Sequence, residues 1–187
     1  LVKQHLSDSL WAIAGNSIGG ERYNRLTGAR SPLHAYPSQA KTIAQGYGSI
    51  ARFFPGGRAE LASIDDALFE QIPDIVPQGG AQAFEDQYIC TGGQLYELMM
   101  GHDRWLADLR PLIATLQSAG LCCHPYDLCT ELIARKAGVI VTNEHEQRLT
   151  APLDVTTGLA WMGYANPAIH QQVAPVLHAI LRERSLL

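Results

Sequence analysis

The feature that most narrows the fold is the rhythm of the chain's second half, where short apolar stretches of strand character alternate with short helical patterns. "TGGQLYELMMG" carries Leu95, Leu98 and Met99 at helical spacing, with Gly101 as the stop. "DRWLADLR" follows as a strand, and "PLIATLQSAG" as a short helix with Pro111 in its first turn and Gly120 past its end. A helix over 127–137 leads into the strand "GVIVT", and "GLAWMGYA" is a further strand. Asn166 caps a last helix with Pro167 in its first turn and Ile169, Val173, Val176 and Ile180 as its buried stripe; Pro175 is expected to kink it. Such alternation specifies an α/β fold, a layered mixed sheet with helices, and residues 1–187 read as a single domain.

The first half is less regular. A strand over 10–14, glycines at 15, 19, 20 and 28, and a second strand ending at Pro32 suggest a strand, turn and strand. "SQAKTIAQGYGSIARFFPGG" fits a helix no better than a strand broken by Gly46 and Gly48. Ser63 and Asp66 form a capping pair for a helix over "IDDALFEQI", with Ile64, Leu68 and Ile72 on one face, and "FEDQYIC" reads as a strand.

Composition bounds the function classes. With 187 residues, 47% of them hydrophobic, the chain can bury one substantial core. A net charge of −4 gives no global attraction to phosphate backbones or anionic lipid, so neither a nucleic-acid polymer nor a membrane is an expected partner. No apolar run approaches the roughly 20 residues that span a bilayer, and the expected location is cytoplasmic, with reduced thiols. The chain starts at Leu1 and soon enters a strand, so it reads as though something precedes it.

Chemistry concentrates in "LCCHPYDLCTELIARKAGVIVT". Structural zinc needs four ligands, commonly in two spaced pairs, whereas Cys122 and Cys123 are adjacent and no second pair has ligand spacing. A second reading makes Asp127 a helix cap and the cysteines small buried hydrophobes. A third makes Asp127 a ligand for a hard divalent cation such as magnesium, which takes only one or two carboxylates plus water and phosphate. The spacing alone leaves the last two open.

The run "HPYDLCTELIARKAGVIVT…LTAPLD" resembles the C-terminal signature of the inositol monophosphatase family, in which an aromatic–Asp pair opens a helix that ends in an Ala-Gly turn before a strand. "TGGQLYELMMGHDRWLAD" looks like that family's small-residue helix start, glycine, and aromatic strand ending in an acid; aligning it needs a one-residue gap. "AIAGNSIGGERYN" and "WMGYANPAIHQQVAPVL" are similar to an earlier strand pair and to the final strand and helix. The resemblance implies the C-terminal half of a layered αβαβα phosphatase. It also implies a magnesium-dependent hydrolase of a small phosphorylated substrate, of the inositol phosphate, sugar bisphosphate or phosphoadenosine nucleotide class.

By the same resemblance Asp127 is a metal ligand, Asp108 bonds substrate hydroxyls, and Thr91, Gly92 and Gly93 let substrate approach the helix start. Each has a plainer alternative: Asp108 paired with Arg104 or Arg110, the glycines allowing close packing, and His102 a solvated turn residue. The family's Glu-Glu pair and Asp-Pro-(Ile/Leu)-Asp-Gly-(Thr/Ser) motif are absent, and the acids at Asp65, Asp66, Glu85 and Asp86 lack that pattern. This chain alone is therefore expected to be inactive until an N-terminal half is supplied. The alternative is a non-catalytic binding or scaffolding protein that keeps half of the fold and forms homo-oligomers.

Overall fold

A computed structural model describes residues 5–15, 17–72, 83–87 and 90–187. Strands β1 (Leu6–Ala12), β2 (Ile18–Asn24) and β3 (Arg30–Pro32) form an antiparallel sheet in the order β1-β2-β3. The chain continues through β4 (Gly46–Ile50), α1 (Arg58–Gln71), β5 (Ala83–Phe84), α2 (Thr91–Met99) and β6 (Asp103–Asp108). A 3₁₀ turn at Arg110–Leu112 precedes α3 (Ala114–Ser118), and a second at Pro125–Leu128 precedes α4 (Glu131–Lys136). Finally come β7 (Ile140–Thr142), β8 (Trp161–Tyr164) and α5 (Pro167–Glu183).

The five later strands make one mixed sheet, β5-β4-β6-β8-β7. β4 runs parallel to β5 and β6, and β8 runs antiparallel to β6 and β7. Alternation along the strands sorts side chains onto two faces. Trp105, Ala107, Met162 and Tyr164 join Leu61, Leu68, Ile169 and Val173 of α1 and α5, whereas Leu106, Val141 and Trp161 join Leu95, Leu98 and Ala134 of α2 and α4. Both faces are covered, which is why β6 and β8 read as almost continuous apolar runs. The three-stranded sheet lies against the α2–α4 layer: α4 contacts β1, and the Tyr96 hydroxyl donates to Asp8 at 2.5 Å. Asp8 also takes Arg22 in a two-point ion pair at 2.7 and 2.6 Å.

Gly48 faces Trp105 in the parallel β4–β6 register, and a Cβ there would fall 2.2 Å from the indole nitrogen. Within the segment left open between helix and strand, only Gly46–Ile50 is a strand, and its Gly48 makes room for a fully buried ring. Asn166 caps α5 as expected, accepting from Ala168 N–H at 2.8 Å and Ile169 N–H at 3.1 Å. Its amide also donates to the carbonyls of Ser38 and Ala40, tying the helix to the loop before β4. The helix continues through Pro175, and Val176 is only partly buried.

Several expected boundaries move. The first strand begins at Leu6 and ends at Ala12, and the stretch to Pro32 holds two strands rather than one. α1 starts at Arg58 behind Gly57, so Ser63 is interior and its hydroxyl bonds the Glu60 carbonyl instead of capping. Of "FEDQYIC" only Phe84 lies in a strand, while residues 88 and 89 fall outside the described residues. Pro111 sits in a 3₁₀ turn, and the extended Ile113 separates that turn from α3. The helix expected over 127–137 is two pieces, with Asp127 in the first.

Among the described residues no helix is long and apolar enough to cross a membrane. All four cysteines are free. Cys122 and Cys123 are buried, but Cys129, expected to be buried, is exposed because it falls between the two helical pieces.

Candidate functional site

Three chain segments meet beyond the end of β6. The strand finishes at Asp108 and turns through Leu109 into the 3₁₀ turn that carries Arg110. α2 opens at Thr91, with the Cys90 sulfur accepting from Gly93 N–H at 3.3 Å. The 3₁₀ turn Pro125–Leu128 opens behind His124. Together they enclose a cavity of about 240 Å³ whose walls include Phe54, Thr91, Arg110, His124, Tyr126 and Asp127.

Asp127 is fixed by a reciprocal pair of bonds. Its Oδ2 accepts from His124 N–H at 2.9 Å, and its own N–H donates to the His124 carbonyl at 2.9 Å. It is therefore the third residue of the turn rather than its cap, the cap position being His124, because Pro125 fills the first helical place. Oδ1 makes no hydrogen bond among the described residues, and the side chain is 32% exposed. The carboxylate thus commits one oxygen to the turn and leaves the other without a hydrogen-bond partner among the described residues. The His124 ring stacks on Tyr126, with centroids 5.4 Å apart and planes within 3°, and its Nδ1 lies 3.9 Å from Asp127 Oδ2.

Asp108 lies behind the cavity wall, fully buried, and pairs with Arg110 rather than Arg104. Nε of Arg110 donates to Oδ1 at 2.8 Å, Nη2 to Oδ2 at 2.5 Å, and the backbone N–H of Arg110 to Oδ1 at 3.2 Å. Arg104 instead bonds the carbonyls of Thr42 and Ala44. The guanidinium of Arg110 also packs over Phe53 and Phe54, at 5.0 and 5.5 Å from the ring centroids.

Thr91 is buried, and its hydroxyl lies 3.7 Å from the sulfur of Cys123. Burial, and next the negative charge of Asp108, push the Cys123 thiol up to about 12. At Gly92 an added Cβ would meet nothing closer than Thr130 Cγ2 at 3.7 Å, so neighbouring atoms leave room for a side chain. Gly93 contributes its N–H to Cys90.

Of the residues singled out in the sequence, Thr91 and Asp127 share the cavity, Gly92 and Gly93 lie in the first turn of α2, and Asp108 stands behind Arg110. His102 is exposed and paired with Glu97. Asp65 lies on α1, where it pairs with Arg52, which also holds Glu85. Arg110 and Phe54 had no role in the sequence reading beyond the pairing of Arg110 with Asp108. The spacing Asp108-x-Arg110 was the available signal, but a strand followed by an immediate turn is needed to fold the guanidinium back on the carboxylate. Among the described residues no group of three or more His, Cys, Asp or Glu is arranged to hold a metal ion.

The chain superposes on Mycobacterium tuberculosis SuhB with a TM-score of 0.53 and 14% identity, covering 89% of this chain and 53% of that one. It superposes on an inositol monophosphatase–fructose 1,6-bisphosphatase with a TM-score of 0.54 and 14% identity, covering 87% and 57%. It shares this fold with inositol monophosphatases. SuhB from Bartonella henselae gives a TM-score of 0.50 at 12% identity, covering 85% and 56%. The chain therefore spans a little over half the length of the inositol-monophosphatase-like structures it matches. No protein-family model and no curated protein sequence matches it.

Proposed function

We propose that this chain is the C-terminal portion of an inositol-monophosphatase-like phosphatase that hydrolyses a small phosphate monoester with magnesium, in the cytoplasm. The observation that carries the reading is Asp127, a carboxylate held rigidly through one oxygen with the other free, on the wall of a cavity in a chain of this fold. Magnesium bound there would supply an acidified water and charge neutralisation on the phosphate. One carboxylate fits one corner of such a site, since magnesium takes few protein ligands plus water and phosphate. The other ligands belong to an N-terminal half that this chain does not carry, so the 187 residues alone are inactive. Thr91 and the glycines after it line the approach to the phosphate, and Asp108 acts through Arg110.

The test has two arms. The coding sequence upstream of Leu1 is read for an Asp-Pro-x-Asp-Gly motif, and phosphate release with magnesium is measured for this chain and for the longer product. Activity only in the longer product, abolished by Asp127→Asn, is expected. Sustained release by the 187-residue chain, or no release by a longer product carrying the motif, overturns the reading.

A second reading, a non-catalytic scaffold that self-associates, is favoured by β1. It is the terminal strand of its sheet among the described residues and carries Trp11 at 46% exposure. An open edge beside an exposed aromatic invites strand addition. Concentration-dependent association in sedimentation supports it, and a monomer throughout counts against it.

A further inference from the structure

Cys90 and Cys129 are the two exposed cysteines, and the fold brings together two segments that the sequence keeps far apart. Cys90 immediately precedes α2, and its sulfur sits over the first turn, accepting from Gly93 N–H at 3.3 Å. Cys129 lies in the short break between the 3₁₀ turn Pro125–Leu128 and α4, and α2 packs against both of those elements. A direct contact flanks the two thiols: a Cβ added at Gly92 would lie 3.7 Å from Cγ2 and 3.8 Å from Oγ1 of Thr130. The other two cysteines are withheld from this surface. Cys123 is buried with its sulfur 3.7 Å from the Thr91 hydroxyl, and Cys122 is buried beside Gly158.

We propose that Cys90 and Cys129 form a reversible redox pair, whose disulfide, made by a peroxide, ties the start of α2 to the turn that carries Asp127. A solvent-accessible cysteine with a resolving thiol beside it is the pattern of redox sensors, and in a reducing compartment such disulfides are transient. The peroxide transfers one oxygen atom to the first thiol, giving a sulfenic acid and water. The sulfur of the second thiol then attacks: the sulfur–sulfur bond forms, the sulfur–oxygen bond breaks, and a second water leaves with the thiol's hydrogen. The two thiols together lose two hydrogens and two electrons, and the peroxide is reduced to water. A small cellular thiol reverses the step by exchange and is itself oxidised.

The consequence falls on the cavity. Thr91 follows Cys90 directly, Asp127 precedes Cys129 by two residues, and both line the cavity wall. A disulfide holds its two Cα atoms about 4.4–6.8 Å apart. The bridge therefore sets the separation of the α2 start and the Asp127 turn, which in the reduced chain depends on packing alone.

The experiment treats the reduced 187-residue chain, in dilute solution with EDTA, with hydrogen peroxide. Free thiols are alkylated, and peptides are mapped by mass spectrometry without reduction. A monomer that has lost two hydrogens, with one cross-link joining Cys90 to Cys129 and reversed by dithiothreitol, is expected. Cross-links only between copies, a pair that includes Cys122 or Cys123, or oxidation of separate cysteines with no cross-link each overturn the proposal. Cys90→Ser keeps an oxygen to accept from Gly93 N–H, so the helix start survives. In that variant the cross-link should vanish and Cys129 should be trapped as a sulfenic acid by dimedone; a persisting cross-link overturns the pairing. The oxidised chain should melt at least about 4 °C higher than the reduced one, because the bridge restricts the unfolded chain. Amide exchange at residues 91–93 and 125–130 should slow with it, and an unchanged melting point and exchange would remove the lock. Failure of the cross-link leaves the phosphatase reading intact, since no cysteine takes part in it.

Discussion

Asp108 and Arg110 form a two-point ion pair across a single intervening residue, at 2.8 and 2.5 Å, with the carboxylate fully buried and the guanidinium almost so. The pair closes the end of β6, with Arg110 on the cavity wall and Asp108 behind it. Geometry of this quality offsets the desolvation of two charges, and removing one partner strands the other.

Arg110→Ala should therefore destabilise the fold by about 3–5 kcal/mol, the range for breaking a buried pair. Replacing both residues with apolar ones of similar volume, Asp108→Leu with Arg110→Met, should recover most of that loss. Urea unfolding monitored by tryptophan fluorescence checks both; a double variant as unstable as the single one would show that the pair does more than neutralise itself.

Asp103, at the start of β6, is 2% exposed, and its Oδ2 has no hydrogen-bond partner. Burial first, and then the negative charge of Glu97, push its carboxyl up to about 7. Asp65, raised to about 6 by burial against the pull of Arg52, has the same sign. In each case the folded form holds its proton more tightly than the unfolded form. Stability from these groups is thus complete below about pH 4 and is lost as pH rises through 6 and 7. Asp103→Asn, a neutral isostere, should be more stable than the parent at pH 8 by on the order of 1–3 kcal/mol. The gap should narrow towards pH 5 in urea titrations at the two pH values.

Asn166 joins the α5 N-terminus to the loop before β4 through two accepted and two donated bonds. Asn166→Ala should cost about 2 kcal/mol, the upper end for a lost cap, because the carbonyls of Ser38 and Ala40 also lose their donor. Asn166→Asp keeps the cap and loses the donors, so its thermal midpoint should lie between the two.

Cys90 and Cys129 are exposed, whereas Cys122 and Cys123 are buried, and burial raises both of the latter thiols above their ordinary value. Reaction requires the thiolate. Two thiols should react promptly with a disulfide reagent in the native protein and two only on unfolding, as counted by mass spectrometry after timed quenching. Prompt modification of Cys123 would contradict the packing around Thr91.

The sequence by itself determined the α/β class, the strand character of "DRWLAD" and "WMGY", and the Asn166–Pro167 start of α5. All of these depend on local rules: alternation, apolar runs and capping act between near neighbours. Its quoted motifs also pointed to the inositol monophosphatase fold, which the backbone shares. Boundaries were less legible where tertiary contacts overrule local preference. Gly48 sits in a strand because Trp105 needs its missing side chain, and α1 reaches back to Arg58 because Leu61 completes the core face.

The candidate site was legible in part. Tyr126–Asp127 and Thr91 stood out as motifs, but the partners of Asp127, the burial of Asp108 and the orientation of Arg110 did not. Those depend on segments far apart in the chain: α2, the end of β6 and the 3₁₀ turn after His124 meet only once the five-stranded sheet has assembled. A sequence states which charges are present. Only the packed sheet decides which of them lose their water and which keep a donor or an oxygen free for a ligand.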